Sequence, residues 1–285
     1  MLGQILINGV FLGGILASMA VGFSILWRVM GVVNVAHPVF CLLSSYIALT
    51  LLKNYGVDPL LSLALILPIY FALGCFIYVI FIQKLGGKDI TSASMVLTFG
   101  LMLIVEKLIQ ATWGATEKSF LDVSYLMATL EWGGIFFSGD YTIGFILSIL
   151  SLASVQIFLT RTFTGKAIRA AWQDIVASLL CGIDFNRISA ITMGVSFALC
   201  AVGGICMTFV YSFYPSVHLN WLFYMFLITI VGGVGSIKGV LAAGVIIGLL
   251  VNLVNLLVPY QWITVIIFIL LVGILLYKPT GLFQS

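Results

Sequence analysis

Charged residues are scarce in this chain of 285 residues. Only 7% of the residues are Asp, Glu, Lys or Arg, whereas 62% are hydrophobic and the mean hydropathy is +1.26. A water-soluble domain could not hide that much apolar surface from water. The composition therefore predicts an integral membrane protein.

Motifs that would mark an enzyme are also missing. No G-x-x-x-x-G-K-[ST] phosphate loop occurs, because Gly165-Lys166 lacks the upstream glycine and the stretch 235–238 has the wrong spacing. The two histidines, His37 and His218, belong to no recognisable Ser/His/Asp or Cys/His arrangement, and paired catalytic carboxylates are not evident. We expect a non-catalytic chain that holds no cofactor of its own.

The cysteines give no sign of a disulfide framework or a metal site. They lie mostly within apolar stretches, without paired spacing, and we identify no nearby histidine suited to metal. We interpret them as small hydrophobic residues. The five are Cys41, Cys75, Cys181, Cys200 and Cys206.

Long apolar runs are abundant. A membrane helix needs about 20 apolar residues, and unbroken runs favour helices over the alternating strands of a barrel. The expected fold is all-α, a polytopic membrane helical bundle of about eight to nine transmembrane helices in a single domain over residues 1–285. The count is eight if 221–257 forms one interrupted unit. The runs are 5–27, 30–52, 60–83, 93–111, 141–160, 188–212, 221–235, 239–257 and 261–277.

The distribution of charge predicts the orientation. Residues 161–187 carry four basic side chains, whereas 112–140 carry four acidic side chains against Lys118 alone. By the positive-inside rule the first stretch is cytoplasmic, which places the N-terminus outside and the C-terminus in the cytoplasm. Because residues 1–10 carry no basic side chain, we expect an uncleaved first helix rather than a signal peptide.

The stretch MGVVNVAHPVF, residues 30–40, sets polar residues and a proline in an apolar run. Pro38 lacks an N–H group and disfavours helical geometry at His37, so a helix over 30–52 should be kinked or interrupted there. Non-helical backbone at membrane depth is tolerated where protein buries it or where it lines a water-filled cavity. We predict that Asn34, His37 and Pro38 shape a translocation path. Alternatively, Asn34 and His37 only satisfy the kink or lie near the cytoplasmic interface.

Two other polar sites have simpler interpretations. Glu106 and Lys107 are expected to reach out to the outer membrane interface, and a proton-relay carboxylate at Glu106 is the alternative. His218 is expected in an aromatic belt at the outer surface.

The stretch RTFTGKAIRAAWQDIVASLLCGIDFNRI, residues 161–188, is unlike the rest of the chain. A helix from Lys166 to Leu180, bounded by Gly165 and Gly182, fits an amphipathic element at the membrane surface. Such a helix would be a rigid protruding element that a cytoplasmic partner can contact and displace. A solvated connector is the alternative.

Three ordered stretches resemble the permease subunits of branched-chain amino acid (Liv-type) ABC importers. GFSILWRVMGVVNVAH, residues 22–37, resembles a glycine-rich segment of that family that ends in Asn-x-Ala-His, although Pro38 and Val39 stand where the family commonly has a glycine and an acidic residue. VGGVGSIKGVLAAGVIIG, residues 231–248, resembles its Gly-Gly-x-Gly-Ser-Ile turn. The cytoplasmic loop matches at Arg161, Gly165, Lys166, Ala167, Arg169, Ala170, Asp174, Gly182-Ile183 and Asn186-Arg187.

The resemblance implies a permease in the bacterial cytoplasmic (inner) membrane that imports branched-chain amino acids or related small polar solutes such as amides and urea. Its partners would be a second permease subunit, homologous or identical, two cytoplasmic ATPases that bind ATP and Mg, and a soluble substrate-binding protein. A stand-alone channel or secondary transporter is the alternative, which would need several buried ionisable groups.

The resemblance also assigns roles to residues. Residues 161–187 would form the ATPase-coupling loop through Arg161, Gly165, Lys166, Arg169, Asp174, Gly182 and Arg187. The turn with Gly232, Gly233 and Gly235 would join Asn34, His37 and Pro38 in shaping the translocation path.

Overall fold

The structure, a computed structural model, describes residues 2–85, 89–120 and 123–257, and a few separate positions beyond 257. A helical bundle carries one short β-hairpin. The elements are α1 Leu2–Met30, α2 His37–Tyr55, α3 Pro59–Ile77 with a π-helical extension Tyr78–Ile82, α4 Ile90–Trp113, α5 Ser124–Met127, β1 Thr129–Trp132, β2 Ile135–Ser138, α6 Gly139–Arg161, α7 Phe163–Gln173, α8 Ile175–Leu180, α9 Phe185–Val210, a 3₁₀ turn Pro215–Val217, α10 His218–Gly232 and α11 Ile237–Leu257.

The polytopic all-α fold expected from the sequence is confirmed. In the described part of the chain, seven helices are long and apolar enough to cross a membrane. The 19-residue α2 is not one of the seven, although the sequence predicted a span over 30–52. The predicted span 261–277 falls largely outside the described residues. The expected count of eight to nine is therefore approximate.

Residues 221–257 form two separate helices rather than one interrupted unit. The Thr229 hydroxyl of α10 lies 3.5 Å from the carbonyl oxygen of Ala20. The turn then reaches Ser24, whose hydroxyl accepts a 2.7 Å hydrogen bond from the Gly235 N–H. α11 runs back along α1 as far as Gly9. The two helices are thus an antiparallel pair joined at residues 233–236.

α1 and α9 form the centre of the bundle. Their apolar stretches are 89% and 83% buried, against 28–33% for α3, α4 and α6. The second group therefore forms the outer layer and presents apolar side chains outward. This arrangement fits a protein in a lipid bilayer, because lipid tails are as apolar as the protein core.

Small residues let α1 and α11 pack closely. Gly9 and Gly13 on α1 face Gly244 and Gly248 on α11, so each helix contributes two glycines four residues apart. A Cβ atom at Gly13 would lie only 2.5 Å from the Cα of Val245. Close backbone approach through small residues is a main source of packing energy between membrane helices.

The hairpin was not anticipated. Thr129 to Trp132 pair antiparallel with Ile135 to Ser138, and Gly133 and Gly134 form the turn with φ values of 60° and 77°. Two glycines between short runs of β-branched and aromatic residues are a known hairpin signal. The stretch TLEWGGIFFS carries this signal, but it lies between the apolar runs from which the helices were predicted.

Replacing Gly13 with Ala is expected to destabilise the protein, because the added Cβ would overlap the α11 backbone. Overpacking of this kind costs about 1–3 kcal/mol, so the thermal unfolding midpoint in detergent should fall. The control is Gly100→Ala on α4, where a Cβ would meet nothing within 4 Å. Equal midpoints for the two variants would contradict the close α1–α11 contact.

Candidate functional site

The chain between α1 and α2 has irregular backbone over 31–34 and a turn at residues 35–36. α1 ends at Met30, Gly31 has a φ of +67°, and its N–H donates to the Trp27 carbonyl at 2.9 Å. Residues 31–36, here called the extended segment, are not helical. Pro38 lies in the first turn of α2, where a missing N–H costs nothing. The predicted interruption near Pro38 is present, but it precedes the proline, which opens a helix instead of breaking one.

The extended segment turns back into the bundle. His37 lies beside Gly22, where a Cβ would approach the imidazole Nε2 to 3.1 Å. Gly22 belongs to the inner part of the 29-residue α1, about two turns before the helix ends at Met30. The segment therefore runs back alongside α1, and α2 begins inside the protein. Asn34 and His37 are buried there, at 1% and 0% exposure.

Three hydroxyl side chains on α4 satisfy the backbone of the extended segment. The Val33 N–H donates to Ser94 Oγ at 3.2 Å, and the Val35 N–H donates to Thr98 Oγ1 at 3.0 Å. Thr91 Oγ1 in turn donates to the Gly31 carbonyl at 2.9 Å. We call Thr91, Ser94 and Thr98 the hydroxyl ladder.

The spacing of the hydroxyl ladder along α4 lets all three side chains reach the extended segment. Steps of three and four residues place its members on one face of α4. Ser94 and Thr98 also donate to carbonyls of their own helix, at 2.8 and 2.7 Å, which leaves their oxygen lone pairs free to accept. Sequence reasoning missed these residues, although the spacing of Ser94 and Thr98 within the run 93–111, with Thr91 just before it, was a usable signal.

The residues predicted to shape a path fall in two places. Asn34, His37 and Pro38 lie in the interior, whereas the turn with Gly232, Gly233 and Gly235 lies at the end of α1 near Arg28. In the described part of the chain, no hydrogen bond joins the two groups. They lie against different turns of the same helix, α1.

The predicted surface helix is two helices rather than one. α7 covers Phe163–Gln173 and α8 covers Ile175–Leu180, so the prediction of one helix from Lys166 to Leu180 was wrong. Asp174 divides them, because its extended backbone ends α7 and its carboxylate accepts the Ala177 N–H at 3.0 Å. An aspartate at this position is a typical helix N-cap.

Of the two glycines predicted to bound this surface helix, Gly182 follows its end as predicted, whereas Gly165 does not precede its start. Gly165 lies within α7, where its missing side chain allows contact with α6; a Cβ would lie 2.0 Å from the Phe158 carbonyl oxygen. Gly182 follows α8 with a φ of +80°. Its N–H donates to Leu179 and the Ile183 N–H to Ser178, the paired bonds of a Schellman motif.

α7 and α8 present a mixed apolar and basic surface. Phe163 is 87% exposed and Leu180 85% exposed. The charged residues predicted for coupling are all exposed around them, namely Arg161, Lys166, Arg169, Asp174 and Arg187. We call this the α7–α8 surface.

The α7–α8 surface is tied to the bundle through Trp172. The Arg28 guanidinium of α1 lies 5.5 Å from the centre of the Trp172 ring, a cation–π geometry. Gly235, with a φ of +88°, fits between them, since a Cβ there would lie 2.5 Å from side-chain atoms of both. α7, α1 and the α10–α11 turn therefore meet at one point.

Glu106 and His218 meet near the opposite end. The Glu106 carboxylate lies 3.7 Å from His218 Nε2, and His218 Nδ1 lies 2.8 Å from the Pro215 carbonyl oxygen. Lys107 is exposed as expected, but Glu106 turns inward and is only 16% exposed. His218 is buried at the start of α10 rather than in an aromatic belt.

These features define a class, a multi-pass α-helical membrane protein with an extended segment inside its bundle and an exposed helix pair at one end. The chain also matches the model of the branched-chain amino acid transport system permease component family over residues 5–275. It belongs to that family, which confirms the resemblance seen in the sequence.

Relatives match along almost the whole chain. The high-affinity branched-chain amino acid transport system permease protein BraD of Pseudomonas aeruginosa is 26% identical over 98% of this chain and 94% of its own length. LivH of Escherichia coli K12, which has the same descriptive name, is 24% identical over 98% and 94%. A probable LivH of Methanocaldococcus jannaschii is 26% identical over 98% and 91%. No solved structure matches the chain.

Replacing Thr98 with Val is expected to destabilise the protein, because the Val35 N–H would lose its acceptor. A buried donor left unsatisfied costs about 1–3 kcal/mol, so the thermal midpoint should fall by several degrees. The control is Thr112→Val, which removes a hydroxyl that bonds only within its own helix. If the two variants unfold at the same temperature, the hydroxyl ladder does not hold the extended segment.

Proposed function

We propose that this chain is the membrane-spanning permease subunit of an ABC importer for branched-chain amino acids or related small polar solutes. Family membership carries the proposal, supported by the descriptive names of relatives that match over nearly their full length. The chain contributes no nucleotide-binding motif, so separate ATPase subunits would bind ATP and Mg. A second permease subunit and a soluble substrate-binding protein would complete the importer.

The α7–α8 surface is the proposed contact with the ATPases. Exposed large apolar side chains within a basic rim are typical of interaction sites. Phe163 and Leu180 would enter an apolar groove of the partner, while Lys166, Arg169 and Arg187 would steer acidic groups around it. The concentration of basic residues here supports a cytoplasmic position for this end and for the C-terminus, with the N-terminus outside, in a bacterial cytoplasmic membrane.

Movement of α7 would reach the interior through α1. Trp172 packs on Arg28, and Gly235 joins the α10–α11 turn to the same point. A push on α7 would therefore displace α1 and the α10–α11 pair together. Because α1 also lies against His37 and the extended segment, ATP-driven closure of the partners would shift the populations of inward- and outward-open states.

Replacing Leu180 with Asp is expected to prevent assembly with the ATPases, because a charge would stand where an apolar contact is proposed. We expect at least a tenfold loss of copurified ATPase and of substrate uptake, with unchanged membrane insertion. The control is Leu130→Asp on the exposed hairpin at the opposite end, where Leu130 is 73% exposed. Normal assembly of the Leu180 variant would exclude α8 from the interface.

Replacing Gly182 with Val is expected to uncouple ATP hydrolysis from uptake. A β-branched residue is strained at a φ of +80°, so the Schellman turn should reopen and α8 should change its direction. Proteoliposomes with all subunits should keep ATPase activity while uptake falls several-fold. Cys181→Val, at an exposed neighbour with an ordinary φ of −79°, is the matched control. Unaltered transport by the Gly182 variant would refute this role.

A further inference from the structure

Three potential metal ligands meet in the interior of the bundle. A ring nitrogen of His37 and the Sγ atoms of Cys41 and Cys200 all lie within 4.8 Å of one another. All three residues are fully buried. Sequence reasoning missed the group because its third member is distant in the chain, although His37 and Cys41 are four residues apart.

The fold brings these side chains together in two steps. α2 begins at His37, so His37 and Cys41 lie one turn apart on the same face of that helix. α9 then packs tightly on α2 because Gly204 has no side chain; a Cβ there would lie 2.0 Å from the Cys41 carbonyl oxygen. This approach places the Cys200 Sγ 3.4 Å from the His37 carbonyl oxygen.

The imidazole of His37 is the observation that points to a ligand. Neither ring nitrogen has a hydrogen-bond partner among the described residues, although the ring is completely buried. A buried polar group left unsatisfied is costly, and in native proteins it usually marks an ion, a water or a functional role. The Met19 carbonyl lies beside the ring but outside hydrogen-bond geometry.

We propose that His37, Cys41 and Cys200 bind one thiophilic metal ion of the copper(I) type. Two sulfurs and one imidazole form a soft ligand set without oxygen, which suits Cu(I). A structural Zn(II) site almost always has four ligands, and the described residues offer no fourth His, Cys, Asp or Glu here.

Binding of Cu(I) would break the S–H bonds of Cys41 and Cys200, form two Cu–S bonds and release both protons to the solvent, because cysteine binds metals as the thiolate. The complex then carries one negative charge. That charge lies at the first turns of α2, where the helix dipole favours an anion.

The test uses the full chain carrying Cys181→Ser, which removes the exposed thiol. The protein is produced in copper-supplemented cells, purified with the Cu(I) chelator bicinchoninate present, and analysed for metal content. We expect about one copper per chain. Cys41→Ser, Cys200→Ser and His37→Gln should each reduce the content at least tenfold. Cys206→Ser, at another buried cysteine of α9, should not.

X-ray absorption at the copper edge is then measured on the Cys181→Ser protein, so that this result does not depend on how the other variants fold. Two sulfur neighbours and one nitrogen neighbour are expected. Any of four results would overturn the proposal. The Cys181→Ser protein could contain no copper, or the Cys200 and Cys206 variants could contain equal amounts. The spectrum could show oxygen or nitrogen neighbours alone, or the protein could retain zinc in place of copper.

Discussion

The structure depends on one constraint, that backbone groups buried in an apolar bundle must find hydrogen-bond partners. A helix meets this constraint by itself, but the extended segment cannot. The N–H groups of Val33 and Val35 and the Gly31 carbonyl are instead satisfied by the hydroxyl ladder of α4. Because Ser94 and Thr98 donate to their own helix and accept from the segment, α4 provides acceptors without losing its own hydrogen bonds.

The position of α2 follows from that arrangement. A chain that had continued as helix past Met30 would have left the bundle, whereas the extended segment returns it to the level of Gly22 before α2 begins. The N-terminal end of α2 therefore lies among buried side chains. This is why His37 and Cys41 meet Cys200 of α9, and why polar groups collect at the centre of a largely apolar protein.

The sequence predicted what depends on local chemistry. Apolar length identified the seven helices that can span a membrane in the described part of the chain, Pro38 marked an interruption, and charge marked the stretch 161–187 as unusual. It did not predict contacts between distant segments. The acceptor role of Thr98 requires knowing that Val35 lies opposite it, and the inward turn of Glu106 requires knowing the position of His218. The division between α7 and α8 was a local feature, since Asp174 is a typical N-cap, but the surrounding helix-forming residues obscured it.

α1 connects the separate parts of the molecule. Gln4, near its beginning, exchanges hydrogen bonds of 2.6 and 2.8 Å with Phe136 of the hairpin. Its inner turns lie against His37, and Arg28 near its end packs on Trp172 of α7. A 29-residue helix is about 43 Å long, so α1 links these three places along its length. Because α11 packs against α1 through backbone contacts at Gly13, the two helices form one closely packed pair, and His37 at the end of the extended segment lies against the same α1.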